Sequence, residues 1–530
     1  MRFLIKSLII LGLVTTVSSC KKETSWDLDA AIPIAKSHLN ISNFFGDTIF
    51  KADPTGLLHI AFSKDILNYT VDSLVKLPDT TVNIAFNLGG YNTVPGNLIY
   101  MNSGANDNEM TFDVQNGVEL NTAIVRKGGI KIEYTNTCSQ PINFKYVMNS
   151  ANLWGSLFAI NQTLGSNTSF TKYYSLNDYN INLTGTSHNK VNTLVQTYTI
   201  SCDPSGQPAV LQGGEGILIR LSFVDIIPEY IQGYFGQQDL SFGPDSSLIG
   251  LLGNFNSSNL LLTQAAINFR IINEFGVEMN SSINSLKSIK TNPANVVTLN
   301  SGTLLQSINI NRATKTNNPL NPVFPWVRQI NINSGNSNLN AFLENIPNYF
   351  GYSAKAKINP LGNVSAGNDF AYYGHGLKVI ADIDIPLALS ANYFSLVSFA
   401  KVDLTELKEL NNVNSCEIYL NARNNYAFKT QLQGYMIDEN NQIIDSLFVP
   451  GQNNIESATT DINNNVLNYV DSKIVSAFDR NKVENLKKCK QIKFVSYLYL
   501  PNQPTPIKLN EDSYLDLTIS INVNYNVHTK

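Results

Sequence analysis

Leu515-Asp516-Leu517-Thr518-Ile519-Ser520-Ile521-Asn522-Val523-Asn524-Tyr525-Asn526-Val527 alternates apolar and polar residues without a break. Period two is the repeat of a β-strand whose side chains point to opposite faces. Leu515, Leu517, Ile519, Ile521, Val523, Tyr525 and Val527 therefore define a buried face, and the residues between them a wet one. A strand this long belongs to a large sheet or curls along an elongated body. Shorter runs with the same alternation cover 130–134, 217–224, 267–271, 377–385, 418–422 and 492–499. Turn chemistry separates them at Gly128-Gly129, Asp438-Glu439-Asn440-Asn441 and Pro504-Thr505-Pro506. The fold class is mainly β: two or three antiparallel β-sandwich-like modules in an elongated chain, each with one face of a sheet packed and the other solvated.

A faint internal echo sets the modules. Ile130/Ile132/Tyr134/Asn136, Ile267/Phe269/Ile271/Asn273 and Ile418/Leu420/Ala422/Asn424 share one pattern, three alternating apolar positions closed by an asparagine. The asparagine is expected to end a strand at a turn, and a second alternating stretch follows each copy. The spacing is that of domains rather than of a solenoid. It divides the chain into a module over 56–245, a second over 246–365 and a third over 366–530. One amphipathic helix is expected near 462–478, where Ile462, Val466, Val470, Ile474 and Phe478 recur every fourth residue behind a cap at Asp461. Weaker helical turns are expected at 403–410 and 338–345, with Pro347 stopping the second.

Composition narrows the function classes. Charged residues are 15% of the 530, and polarity comes instead from asparagine, of which there are 70. Asparagine tolerates left-handed backbone and closes turns on itself, so it suits a chain of many hairpins; an AT-rich codon usage would give the same excess. The net charge of −4 is spread without blocks. No basic stripe exists to neutralise phosphates, so nucleic acid is not an expected partner. Cys138, Cys202, Cys416 and Cys489 either pair as disulfides, with Cys138–Cys202 and Cys416–Cys489 each inside one module, or pack as free buried thiols. Their spacing does not suit zinc.

The first twenty residues fix the address. Arg2 and Lys6 precede an apolar core from Leu8 to Val14, too short to span a bilayer, and small residues follow. Val17-Ser18-Ser19-Cys20 resembles the lipobox of bacterial lipoproteins. The resemblance implies a signal peptide over 1–19, acylation (a palmitate-type anchor) at Cys20, and a lipidated tether over 20–55. Lys21-Lys22-Glu23 has no aspartate directly after the cysteine, which in the proteobacterial pattern resembles an outer-membrane destination. Trp26 and Asp27-Leu28-Asp29-Ala30-Ala31-Ile32-Pro33 look like the opening of many uncharacterised Bacteroidota outer-membrane and surface lipoproteins. The implied location is the outer membrane, lipid-anchored, facing the cell surface rather than the periplasm. Four tripeptides resemble the O-glycosylation signal of Bacteroidota exported proteins and make Thr48, Ser73, Thr80 and Ser446 candidate acceptors; ordinary strand-end turns explain them as well.

The search for chemistry returns little. Nucleophile-elbow, zincin, phosphate-loop and dinucleotide signatures are absent. No catalytic residue, metal or cofactor is expected, and the chain is read as no enzyme. Asp382 and Asp384 share a strand face with Lys378, a spacing that suits paired carboxylates over a sugar and equally suits surface ion pairs. Asn106-Asp107-Asn108-Glu109 offers oxygen ligands but lacks an EF-hand's glycine and spacing. Tyr349, Phe350, Tyr352, Phe370, Tyr372 and Tyr373 are an aromatic platform or core. Trp326 is expected to brace an interdomain corner. The expected function is a non-catalytic binding or scaffold subunit docked on an outer-membrane β-barrel complex. A polysaccharide-binding surface lipoprotein, and a lipid or lipoprotein carrier with an apolar groove, are the alternatives.

Overall fold

The computed structural model describes residues 25–40, 50–71, 79–102, 108–248, 256–258, 261–390, 393–404, 415–499 and 506–528. All the expected strands form, and most run further than their alternation suggested. The 130–134 run lies inside Glu119–Asn136, 217–224 inside Gly216–Tyr234, and the C-terminal run is Tyr514–His528. Among the described residues the strands pair antiparallel, as the alternation requires, and one isolated bridge, Thr184 to Thr193, is parallel. Asparagine does close turns: Asn116, Asn167, Asn192, Asn359, Asn441 and Asn464 supply half of the described non-glycine residues at positive φ.

The chain folds as two compact units that are interleaved rather than consecutive. A terminal unit takes Met1–Ala61, Leu251–Gln264 and Ile385–Lys530; a central unit takes Phe62–Gly250 and Ala265–Asp384. The contiguous spans 56–245, 246–365 and 366–530 are cut differently because each sheet is closed by strands far apart in sequence. Three runs of four strands, one a whole sheet and two within sheets of five and eleven strands, share one order: an early strand, the closing strand, the asparagine-ended strand and a fourth. In the terminal unit the order is Ser25–Asn40, Tyr514–His528, Cys416–Asn424, Val470–Phe478. Leu58–Thr70, Gly376–Pro386, Ala266–Asn273 and Trp326–Asn333 repeat it. So do Thr81–Asn87, Gly216–Tyr234, Glu119–Asn136 and Thr168–Ser175. The early strands enter in the order 25, 58, 81 and their closing partners return in the order 216, 376, 514. The sandwiches are thus nested in sequence, each inserted within the next.

The echoed asparagines are corners: at Asn273 and Asn424 the chain leaves one sheet for another, and at Asn136 it moves to a strand further along the same eleven-stranded sheet. Asn136, Asn273 and Asn424 are all but fully buried, and each makes the same bonds. The side-chain oxygen accepts from the backbone N–H two residues on: Cys138 at 2.9 Å, Phe275 at 3.0 Å, Tyr426 at 2.9 Å. The amide donates to the carbonyl four residues on, that of Gln140, Val277 or Phe428, at 3.1, 3.0 and 3.0 Å. It donates again across the core, to Leu164 and Gly165, to Asn311, or to Glu456. A sharp turn in the interior exposes backbone groups that must be paired, and one side-chain amide pairs several of them. The next strand then starts in another sheet position, at Ile142, Met279 or Lys429.

Two local expectations are corrected. The helix near 462–478 does not form: Val466–Asn468 and Val470–Phe478 are strands. A repeat of four is a multiple of two, so Val470, Ile474 and Phe478 share a strand face as readily as a helix stripe. The helix lies just beyond, at Arg480–Lys488, where the Asp479 carboxylate accepts from Lys482 N–H and Lys487 and Lys488 occupy the last turn. Gly128-Gly129 is not a break between strands but an irregularity within Glu119–Asn136. A Cβ on Gly129 would stand 2.2 Å from the Tyr174 carbonyl, so the neighbouring strand can approach only a glycine. The turn at 338–345 holds as the helix Leu339–Glu344, and most of 403–410 lies outside the described residues.

Candidate functional site: the outer face of the terminal-unit sheet

Strand parity builds this face. Along Cys416–Asn424 the residues Ile418, Leu420, Ala422 and Asn424 point inward, leaving Glu417, Tyr419, Asn421 and Arg423 outside. Val470–Phe478 sends Ile474, Ser476 and Phe478 in and Asp471, Lys473 and Val475 out. Pairing sets these residues in rows across the strands. One row reads Asp471, Arg423, Asp516, His38; the next reads Lys473, Asn421, Thr518, Lys36. Asn421, Arg423, Asp471, Lys473, Asp516 and Thr518 line an open groove of about 480 Å³.

The first row holds two separate acid–base contacts. Arg423 grips Asp471 with two bonds of 2.9 and 3.2 Å, and His38 Nδ1 lies 2.5 Å from Asp516. The Arg423 guanidinium holds the Asp471 carboxyl below the usual carboxylate range, and the carboxylate raises Arg423 in turn. Aromatic rings flank the rows. The Arg423 guanidinium sits 4.1 Å above Tyr469, Lys473 sits 4.1 Å above Tyr419, and His38 stacks on Tyr514 at 5.6 Å. These contacts fix ring and cation orientation at an accessible surface. Sequence reading passed over the face because its polar residues alternate with core residues and form no contiguous motif. The alternation itself was the only signal.

The residues singled out in the sequence fall elsewhere. Asp382 accepts from Arg270 and, at 2.6 Å, from Ser63, while Lys378 pairs with Glu274 at 3.0 Å; Asp384 is exposed. That is the ion-pair arrangement, not a carboxylate dyad. Phe350 is buried and stacks on Phe342, Phe370 is buried with Tyr230, Ala313 and Val323, and Tyr372 packs on Tyr230 at 4.6 Å. Tyr349, Tyr352 and Tyr372 are half-buried, and Tyr373 is exposed with Arg126 over its ring at 4.1 Å. Trp326 opens its strand opposite Asn273, beside a sandwich corner, and Trp154 stands almost fully exposed at a hairpin tip. Glu109 binds Lys190 and Thr186, and Lys190 brings its carboxyl down to about 2; Asn106 and Asp107 lie outside the described residues.

All four described cysteines are buried and free. Cys138 takes the corner position that Phe275 and Tyr426 fill in the other sandwiches, an apolar plug under the asparagine. Burial raises the Cys138 and Cys416 thiols to about 11. Thr80 precedes the strand Thr81–Asn87; Ser446 ends the strand Ile443–Ser446, whose Asp445 binds Asn485 of the helix at 2.9 Å. Cys20, Thr48 and Ser73 lie outside the described residues. An apolar cavity in the central unit, lined by Phe112, Leu120, Leu176 and Phe223 among others, measures about 60 Å³. That is well under the roughly 150 Å³ that admits one benzene, so it holds no acyl chain. Among the described residues no helix is long and apolar enough to cross a membrane, and no acidic, histidine or cysteine cluster could hold a metal.

No family model matches the chain, and no curated protein matches it. Among solved structures, a protein of Parabacteroides distasonis taken to be secreted aligns at 14% identity over 53% of this chain and 82% of its own, with a TM-score of 0.29. The infectious bursal disease virus Gt strain structure aligns at 9% identity over 98% and 89%, with a TM-score of 0.08. The VP2 subviral particle of that virus aligns at 10% over 86% and 81%, with a TM-score of 0.10.

Proposed function

We propose that the protein is a lipid-anchored, non-catalytic binding subunit of the outer membrane, exposed at the cell surface and working beside a β-barrel partner. The observation that supports this reading is the position of the sheet just described. Its strand Ser25–Asn40 begins five residues after Cys20. Five extended residues span at most about 18 Å, so an acylated Cys20 keeps that end of the sheet close to the bilayer. Several acyl chains on one cysteine hold firmly, at about 0.8 kcal/mol per buried methylene. A membrane-proximal sheet with an open polar face suits a subunit that meets its partner at the membrane surface.

The test is a tagged pull-down from gently solubilised outer membranes, read by mass spectrometry, with Cys20→Ala as control. A stoichiometric β-barrel protein that is lost with Cys20→Ala is expected. Recovery of the protein alone would overturn the partner, and membrane retention of Cys20→Ala would overturn the anchor.

A further inference from the structure

We infer that a slot in the central unit takes up one extended peptide strand of a partner protein, an inference that rests on the binding role above and gives it a mode of contact. The two ends of the eleven-stranded sheet face each other there. One end is Thr81–Asn87, which among the described residues pairs only with Gly216–Ser222. The other is formed by Leu98–Met101 and Glu109–Thr111, both laid along Thr193–Cys202. The slot between them measures about 380 Å³, and Val82, Ile84, Phe86, Met110 and Gln196 are among its lining residues. Phe86 bridges the two ends by packing on Tyr100 and Tyr198, with ring centroids 4.6 and 6.2 Å apart. Side chains, and not a hydrogen-bonded strand, close the sheet at that point.

Backbone parity makes a strand the occupant. Phe223 N–H donates to the Thr80 carbonyl and Leu88 N–H to that of Glu215, so the even-numbered residues bond toward Gly216–Ser222. The N–H and C=O groups of Thr81, Asn83, Ala85 and Asn87 therefore turn the other way. An extended main chain offers donors and acceptors in the same alternation. Edge strands are ordinarily guarded against such addition by charge, proline or a bulge. The edge strand Val470–Phe478 carries Asp471 and Lys473, and the edge strand Gln238–Leu248 carries Pro244 and a register shift. Thr81–Asn87 has no charged residue, no proline and no shift in its register. Ile84 and Met110, both buried, give the slot an apolar floor, and the Glu109 carboxylate beside it is neutralised by Lys190. A peptide with apolar residues at every second position matches that floor. The edge of a second copy, still held in its own sheet, does not fit between two facing edges; a detached strand does.

The test is hydrogen exchange of the detergent-solubilised full chain, read at the Asn83 and Ala85 amides by mass spectrometry. The probe is a synthetic peptide of alternating valine and threonine with a lysine at each end for solubility. Fast exchange in the free protein, slowed at least tenfold by saturating peptide, is expected, with no change across 470–478. A peptide N-methylated on either alternate set of residues should lose the effect, because one set faces each edge of the slot. Ala85→Pro removes an N–H that the pairing with Gly216–Ser222 does not use, and should abolish the protection of Asn83. Slow exchange of these amides in the free protein would show the edge already covered, by this chain or by a second copy, and would overturn the site. So would no slowing with the peptide, slowing that survives methylation of either set, or slowing that survives in an Ala85→Pro protein that melts normally. The assay contains neither membrane nor barrel, so its failure leaves the pull-down result standing, and the reverse holds too.

Discussion

The segment 349–373 and the outer face of the terminal-unit sheet divide the molecule's aromatic and polar resources in opposite ways. The first is the denser in aromatic residues and buries its two phenylalanines, Phe350 and Phe370, both under 10% exposed, while its tyrosines stay partly accessible. The second has fewer rings, and Tyr419 and Tyr469 lie under Lys473 and Arg423, two cations that line an open groove. Local richness in tyrosine and phenylalanine therefore says little about a binding surface. What decides is the parity of each residue in its strand and whether the sheet face is covered by another layer.

The sharpest break of that contrast is a pair of truncations. Phe370→Ala should cost about 3–5 kcal/mol, since it empties a site packed by Tyr230, Ala313 and Val323. Tyr469→Ala should leave the urea midpoint where it is. A mild Phe370→Ala would mean the central platform is a surface after all. A smaller effect tests whether the two units are built alike at their corners. Asn273→Ala and Asn424→Ala each strip one backbone N–H and two carbonyls of a buried partner. Each should lose about 1–3 kcal/mol or more by urea denaturation. A loss at Asn273 with none at Asn424 would show that the terminal corner is held by something else.

These corners were legible in the sequence because the same three apolar positions and asparagine recur, and a buried amide at a strand end has one local job. Strand identity was legible for the same reason, from period two. The strand at 470–478 was not. Ser472 and Ser476 occupy inward positions, so the apolar residues that remain are four apart and mimic a helix stripe. The true helix, Arg480–Lys488, buries only Val483 and Leu486 and shows itself chiefly by its Asp479 cap. Nesting was hidden more deeply. Nothing local in 25–40 reveals that its partner is 514–528, because alternation states which side faces the core and not which strand lies alongside. The outer face inherits that blindness: Arg423 meets Asp471 across 48 residues of chain and Asp516 across nearly twice as many.

Acid titration gives the finest comparison, because each unit carries an arginine–aspartate pair between adjacent strands. Asp382 is held by Arg270 and Ser63 in the central unit, and Asp471 by Arg423 on the terminal face. Both carboxyls are lowered, each arginine being the largest cause. A carboxyl lowered on folding adds stability that is complete above its unfolded pKa, about 3.9, and is lost as pH falls through the lower folded value. Arg270→Gln should therefore lower stability at neutral pH and flatten its dependence on pH below about 4. Arg423→Gln should act in the same direction but less, because the Asp471 side chain is 61% exposed against 31% for Asp382 and water screens the pair. Urea midpoints measured from pH 7 to pH 2 separate the two. Equal flattening would mean that the terminal face is more enclosed than its groove suggests, and that a layer absent from the sheet order covers it.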